Sequence, residues 1–320
     1  MSSFRSDAAE LVGVVARHTN LGDGRHSTAV EGLVLHRSSV TTTPTPAVYP
    51  PSLCVIASGA KDVLVGDAIL SYDTASYLVS SVNVPARGAV TLASPGAPYL
   101  CVQVELDMGL VATTMIELGL GPTDEPAAAL RTYETCEQLL DVVVRLVRLL
   151  DSQQDAWFLA SLYRRELVYR LLTGAASSTL CGFAAPRGQT VGLLNALRWL
   201  RTNFTEPVSV ESLAERAGMS PSSFFAHFKR MTHTTPIQYR TQLRLIEARR
   251  LMVAHGLDAA EAGFRVGYGS PSQFSRLYQR QFDAAPAADA ARIRAGQVQP
   301  AAKFPTPTTG ERSDEQGRVH

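Results

Sequence analysis

Glutamine and arginine are the side chains that read base edges, and this sequence places them three residues apart at Gln273 and Arg276. Gln can bond bidentately to adenine and Arg to guanine. Ser272 adds a short-range hydroxyl, and Arg280, one turn further on, suits a phosphate. A second group, 50 residues upstream, holds Ser222, Ser223, Lys229 and Arg230, with Phe225 and Ala226 between them. Hydroxyls reach bases only at close range, whereas Phe225 and Ala226 suit thymine methyl groups. Lys229 and Arg230 suit phosphates, which position a protein without reading sequence. On an ordinary solvated helix these residues would recognise nothing, so the elements that carry them decide.

Residues for covalent or metal chemistry are not grouped. No Ser/His/Asp set, glycine-rich phosphate loop or carboxylate pair stands out. The histidines before residue 190 are His18, His26 and His36, with no His-x-His pair. Cys54, Cys101, Cys136 and Cys181 contain no Cys-x-x-Cys, so neither a metal site nor a disulfide framework is expected. Cys54 and Cys101 fall in apolar runs and read as small core hydrophobes. No Lys or Arg lies near either in sequence to lower a thiol pKa.

The carrying elements repeat. Leu213, Ala214 and Ala217 make one apolar face, and Gly218 ends that helix because glycine enters the left-handed C-cap without strain. Ser220 then caps a second helix, Pro221 takes its first position, and Phe224 and Phe228 turn it to the core. The same grammar recurs about 50 residues on: Ala259, Ala260, Ala262 and Phe264, then Gly267, Ser270, Pro271, Phe274 and Tyr278. This describes two helix-turn-helix units in tandem. Between them, residues 236–254 predict a helix of about 19 residues, roughly 28 Å long, near one DNA turn of about 34 Å.

These residues also carry a family likeness. Residues 191–290 resemble the DNA-binding domain of AraC-type bacterial transcription regulators. The likeness lies in Met219-Ser-Pro-Ser-Ser-Phe, Phe228-Lys-Arg, Thr235-Pro-Ile-Gln-Tyr-Arg240, Arg244 to Met252 and Val266 to Arg276. Residues 8–120 resemble the N-terminal regulatory domain of one AraC branch through Tyr49-Pro-Pro-Ser-Leu-Cys-Val-Ile56, Gly59-Ala-Lys61 and Pro98-Tyr-Leu-Cys101. The resemblance puts base-reading positions at Ser222, Phe225 and Ala226. Many relatives carry a long polar or basic residue where this sequence has Ala226, and a polar one where it has Phe225. It also implies a small cupin-like barrel.

Composition agrees with two domains. At 320 residues and 45% apolar content the chain can bury two cores. Residues 191–295 carry a net charge of +6 and residues 1–190 one of −5, which confines a nucleic-acid surface to the C-terminal part. A helix is expected over 8–18. Short runs at 33–37, 52–57, 62–65, 68–72, 77–82 and 100–106 predict an antiparallel barrel or sandwich, with hairpin turns at Gly59, Gly66-Asp67 and Tyr72-Asp73-Thr74. Helices over 134–150 and 155–172 form a hairpin whose wide apolar stripe predicts a dimer contact; packing within the chain is the alternative.

The expected fold is therefore α+β with two domains. The first is an N-terminal cupin-like antiparallel β-barrel with a helical hairpin over 1–175, followed by a linker over 176–190. An all-α double helix-turn-helix domain occupies 191–295, and 296–320 form a disordered tail. Arg5, Asp7 and Glu10 interrupt any signal peptide, and no apolar stretch spans a bilayer, so a reduced cytosol is expected with no membrane partner. The expected function is a homodimeric regulator that binds double-stranded DNA, needs no cofactor and responds to a small-molecule effector. His36, Cys54 and Cys101 are the candidate effector contacts. An activator would also engage RNA polymerase. A barrel enzyme or isomerase with an accessory helical module, and a regulator without an effector, are the alternatives.

Overall fold

The chain opens on helix α1 (Ser2–His18), which buries Leu11, Val14 and Val15 on one face. The structure, a computed structural model, describes residues 2–121, 128–184 and 188–295. Nine strands follow: β1 (Gly24–Ser27), β2 (Leu33–Ser38), β3 (Thr45–Tyr49), β4 (Ser52–Ser58), β5 (Ala60–Val65), β6 (Ala68–Asp73), β7 (Ser76–Ser80), β8 (Val84–Leu92) and β9 (Tyr99–Glu105). Helix α2 (Met108–Glu117) precedes a last strand, β10 (Leu130–Glu134). The strands form two antiparallel sheets, in orders β1-β2-β9-β4-β7-β10 and β3-β8-β5-β6.

Side-chain alternation divides the core. On β9, Leu100, Val102 and Val104 point outward to the helices, while Tyr99 and Cys101 point between the sheets. The outer layer is helix α3 (Glu137–Arg148), a 3-10 turn (Leu149–Asp151) and helix α4 (Gln153–Thr173), packed with α1 on the six-stranded sheet. Only one expected hairpin turn is a hairpin: Gly66, with φ 58°, joins β5 to β6. Gly59, and the turn where Asp73 accepts the Ala75 N–H, instead carry the chain from one sheet to the other. Turn residues signal a reversal but do not specify whether the next strand pairs with the last.

The apolar face of α3 is taken up within the chain, where Leu139, Val142, Val143, Leu146 and Val147 are all buried. The expected linker is largely helix α5 (Ser177–Ala184), which buries Leu180, Cys181 and Phe183. Its small residues resemble a linker locally, yet three apolar side chains in a turn and a half suffice to dock it. Residues 185–187 and the expected tail at 296–320 lie outside the described residues.

The C-terminal part comprises α6 (Gln189–Thr202), α7 (Val210–Arg216), α8 (Pro221–Thr232), α9 (Pro236–His255), α10 (Ala259–Arg265), α11 (Pro271–Phe282) and α12 (Pro286–Arg294). It meets the barrel directly. The Ala129 N–H donates to Met231 O at 2.9 Å, the Tyr239 hydroxyl donates to Asn83 O at 2.5 Å, and Arg87 pairs with Asp283 at 3.2 Å. A cleft of about 190 Å³ beside this contact is lined by Ser81, Asn83, Phe183, Arg198, Arg201 and Tyr239. Among the described residues, no helix is long and apolar enough to cross a membrane.

Candidate nucleic-acid interface

Each helix-turn-helix unit is built by the same local devices. Ser220 caps α8 by accepting the Ser223 N–H, Ser270 caps α11 by accepting the Gln273 N–H, and proline starts both helices. Phe224 and Phe228 are buried under α8, and Phe274 and Tyr278 under α11. The turn glycines Gly218 and Gly267 adopt φ 65° and 88°. The repeat runs further than the sequence suggested. His233 and Asp283, also 50 apart, both end their helices in the left-handed conformation, and a proline-started helix follows each. One element departs: Phe264 is exposed on α10, and the buried side chains there are Ala262, Val266 and Tyr268. Phe264 occupies the position of the solvated Glu215 in the first unit.

With the phenyl rings turned inward, the opposite faces are open. Ser222, Phe225, Ala226, Lys229 and Arg230 on α8 are exposed, as are Ser272, Gln273, Arg276 and Arg280 on α11. Ser223 is half-buried beside His227, whose ring bonds back to Ser223 O at 2.7 Å. Lys229 and Arg280 also line one groove with Arg87, His233 and Gln238, where the domain faces the barrel. The two helices therefore present different chemistry: short and apolar groups on α8, long bidentate ones on α11.

What holds the two units in register was not visible in the sequence. Arg244, in the middle of α9, is buried and donates to four carbonyls: Phe204 O at 2.5 Å, Thr205 O at 2.7 Å, Gly267 O at 3.0 Å and Glu206 O at 3.4 Å. It thus ties the turn of the second unit to the end of α6. A Cβ on Gly267 would stand 2.5 Å from Thr205 O, so glycine is needed for that approach as well as for its φ. Asp289 of α12 is fully buried and accepts from Arg249, Arg292 and the Tyr278 hydroxyl at 2.6–3.0 Å. Burial pushes its carboxyl up, but those bonds hold it below the ordinary range. A lone arginine in an Arg-rich helix carries no sequence signal that marks it as buried.

The candidate effector residues are brought together inside the barrel. His36 lies opposite Cys101 across β2 and β9, and Cys54 lies opposite Gln103 across β4 and β9, so all four share the inner face. The His36 ring bonds Gln103 at 2.8 Å, and burial and Lys61 depress its pKa to about 4, so it is neutral at pH 7. The Cys54 and Cys101 side chains are buried in one cluster on that face, and the Cys101 thiol donates to Val102 O at 3.6 Å. Lys61, on the strand after Cys54 and in the other sheet, faces them from β5, opposite Tyr72 of β6. The sequence argument that no cation lies near these thiols is overturned by the packing of the two sheets. Among the described residues, no group of three or more His, Cys, Asp or Glu could hold a metal.

Comparison with known proteins agrees with this geometry. Residues 29–179 match the family model described as the AraC-type transcriptional regulator N-terminus, and residues 213–292 match a helix-turn-helix domain. The chain is 30% identical over 151 residues to the HTH-type transcriptional activator RhaS of Citrobacter koseri and to RhaS of Salmonella schwarzengrund. That match covers 47% of this chain and 54% of each relative, so the chain spans about half the length of the curated relatives it matches. Solved structures of ToxT from Vibrio cholerae share the fold at TM-scores of 0.50 and 0.52 and 10% identity. They cover 80% and 86% of this chain, and 98% and 99% of ToxT. With one family model on the barrel and the other on the tandem helical units, the chain belongs to the AraC-type transcriptional regulators.

Proposed function

We propose that this protein is a sequence-specific DNA-binding transcription regulator whose α8 and α11 enter successive major grooves and whose barrel senses a small molecule. The observation that carries the reading is the repeat itself. Two capped, proline-started helices stand 50 residues apart, each burying its aromatic face and exposing polar side chains on the other. Helix α9, 20 residues and hence about 30 Å long, is a connector of the right scale for two grooves one turn apart. Ser222, Ser223, Phe225, Ala226, Ser272, Gln273 and Arg276 read bases, while Lys229, Arg230 and Arg280 hold phosphates. The chain acts by binding rather than catalysis.

The test is a duplex-binding titration of the full chain at several salt concentrations. Affinity should fall steeply with salt because neutralised phosphates release counterions. No binding at low salt would remove the reading.

The same reading includes a homodimer, formed through α4 rather than α3. Trp157, Phe158 and Leu162 of α4 are 87%, 65% and 52% exposed, and Ile116 of α2 is 76% exposed. Charge rims that face, where Arg165 pairs with Glu117 at 2.6 Å and Arg164 donates to the Glu31 carbonyl at 3.1 Å. Such a patch can pair with a second copy of itself about a twofold axis.

A further inference from the structure

The barrel interior collects hydrogen-bond donors and almost no acceptors. The half-buried Lys61 ammonium lies over the Tyr49 ring at 5.4 Å with the Tyr49 hydroxyl beside it, and among the described residues no carboxylate pairs with it. Tyr72 stands directly opposite Lys61 on the neighbouring strand, and Tyr99 reaches the same space from the facing sheet. Both rings are buried, and the two hydroxyls approach each other, yet neither completes a hydrogen bond. The one amide oxygen nearby, on Gln103, is already engaged by His36. Gly88 makes the arrangement possible: a Cβ there would lie 2.8 Å from Lys61 Cε and would collide with the Tyr49 hydroxyl.

A buried hydroxyl without a partner is costly, and two stand side by side here. A fold retains such a set where an acceptor arrives from outside. We infer that the barrel interior binds a small carboxylate, its oxygens accepting from Lys61, Tyr72 and Tyr99 and its apolar body lying on Ile56, Val63 and Leu78. The inference rests on the effector-sensing reading above and names the ligand class. A single ammonium beside a neutral His36 matches one negative charge; a phosphate dianion would leave charge uncompensated in an apolar surround. The same buried cluster runs on through Leu193 and Phe224 to Phe228, so a ligand that reorders Tyr72 and Tyr99 acts on side chains continuous with the first reading unit.

The experiment uses the full chain with acetate, butyrate and benzoate, each against its primary amide, with inorganic phosphate as control. Thermal shift and calorimetric titration are the readouts. At least one carboxylate should bind about tenfold or more tighter than its amide, the worth of a charge-assisted hydrogen bond. Lys61→Met should abolish that preference, and Tyr72→Phe with Tyr99→Phe should reduce it, with the native circular dichroism retained. Amides or phosphate binding as well as the carboxylates, or a preference that survives Lys61→Met, would overturn the inference. Repeating the titrations with duplex DNA separates the two claims. Carboxylate binding that leaves DNA affinity unchanged keeps this site and refutes effector control; a neutral barrel ligand that changes DNA affinity does the reverse.

Discussion

Arg276 and Lys229 are both exposed cations on reading helices, but their losses should look different. A bidentate arginine discriminates a base by about 1–3 kcal/mol, whereas a phosphate contact weakens every sequence alike. Selection on randomised duplexes should show Arg276→Ala flattening the preference at one base pair. Lys229→Ala should leave the motif intact and lower the salt slope by about one unit. The opposite pattern would reverse the orientation of these helices. Asp289 belongs to the same scale. Its folded carboxyl titrates below its ordinary value, so its contribution is complete above the unfolded value of about 4 and is lost as pH falls through the folded one. Asp289→Ala leaves Arg249, itself only 17% exposed, unpaired and should cost about 3–5 kcal/mol. Denaturant titrations of the variant and wild type at pH 7 and in acid check both statements; the difference should shrink in acid.

Helices α3 and α4 show how one apolar hairpin divides its labour. Helix α3 is surrounded by α1, α4 and the six-stranded sheet, so Leu146→Asp buries an unpaired carboxylate and should unfold the N-terminal part. Helix α4 buries Leu167, Val168, Leu171 and Leu172 near its end but leaves Trp157 and Leu162 in the open. Trp157→Asp with Leu162→Asp should therefore keep native circular dichroism and sediment as a monomer. An unchanged dimer would place the contact elsewhere.

Across the whole molecule, the domain boundary does not interrupt the core. Cys54, Ile56 and Leu78 of the barrel, Phe183 of α5 and Leu193, Phe224 and Phe228 of the DNA-binding part form one buried cluster, while Leu245, Phe274 and Tyr278 of the second unit form another. Calorimetry should show the barrel and the first unit melting in one cooperative transition. Tyr239→Ala, which removes both the bond to Asn83 and the edge contact with Phe228, should split it. Two separate transitions in the unaltered chain would mean that the shared core does not couple them.

Much of the reading half was legible because its signals are local. Caps, first-turn prolines and aromatic pairs four apart act within one or two turns, so Ser220, Pro221, Phe224 and Phe228 specified α8 unaided, as their counterparts specified α11. Exposure of Gln273, Arg276 and Lys229 followed from the helical period alone. Strands were legible as strands, but β1, β3, β8 and β10 escaped notice, because short or glycine- and proline-bearing runs lack clear alternation. Pairing was legible only at the Gly66-Asp67 hairpin, which sets Lys61 opposite Tyr72. Elsewhere it is set between residues far apart in the chain, and only the packing of the two sheets brings Lys61 near Cys54 and Cys101. The same holds for α3 and α4: both are apolar, and only the surrounding layers decide which is buried. Local sequence determined what each element is and which face it offers; tertiary structure decided what each face meets, because burial and charge proximity are properties of neighbours in space.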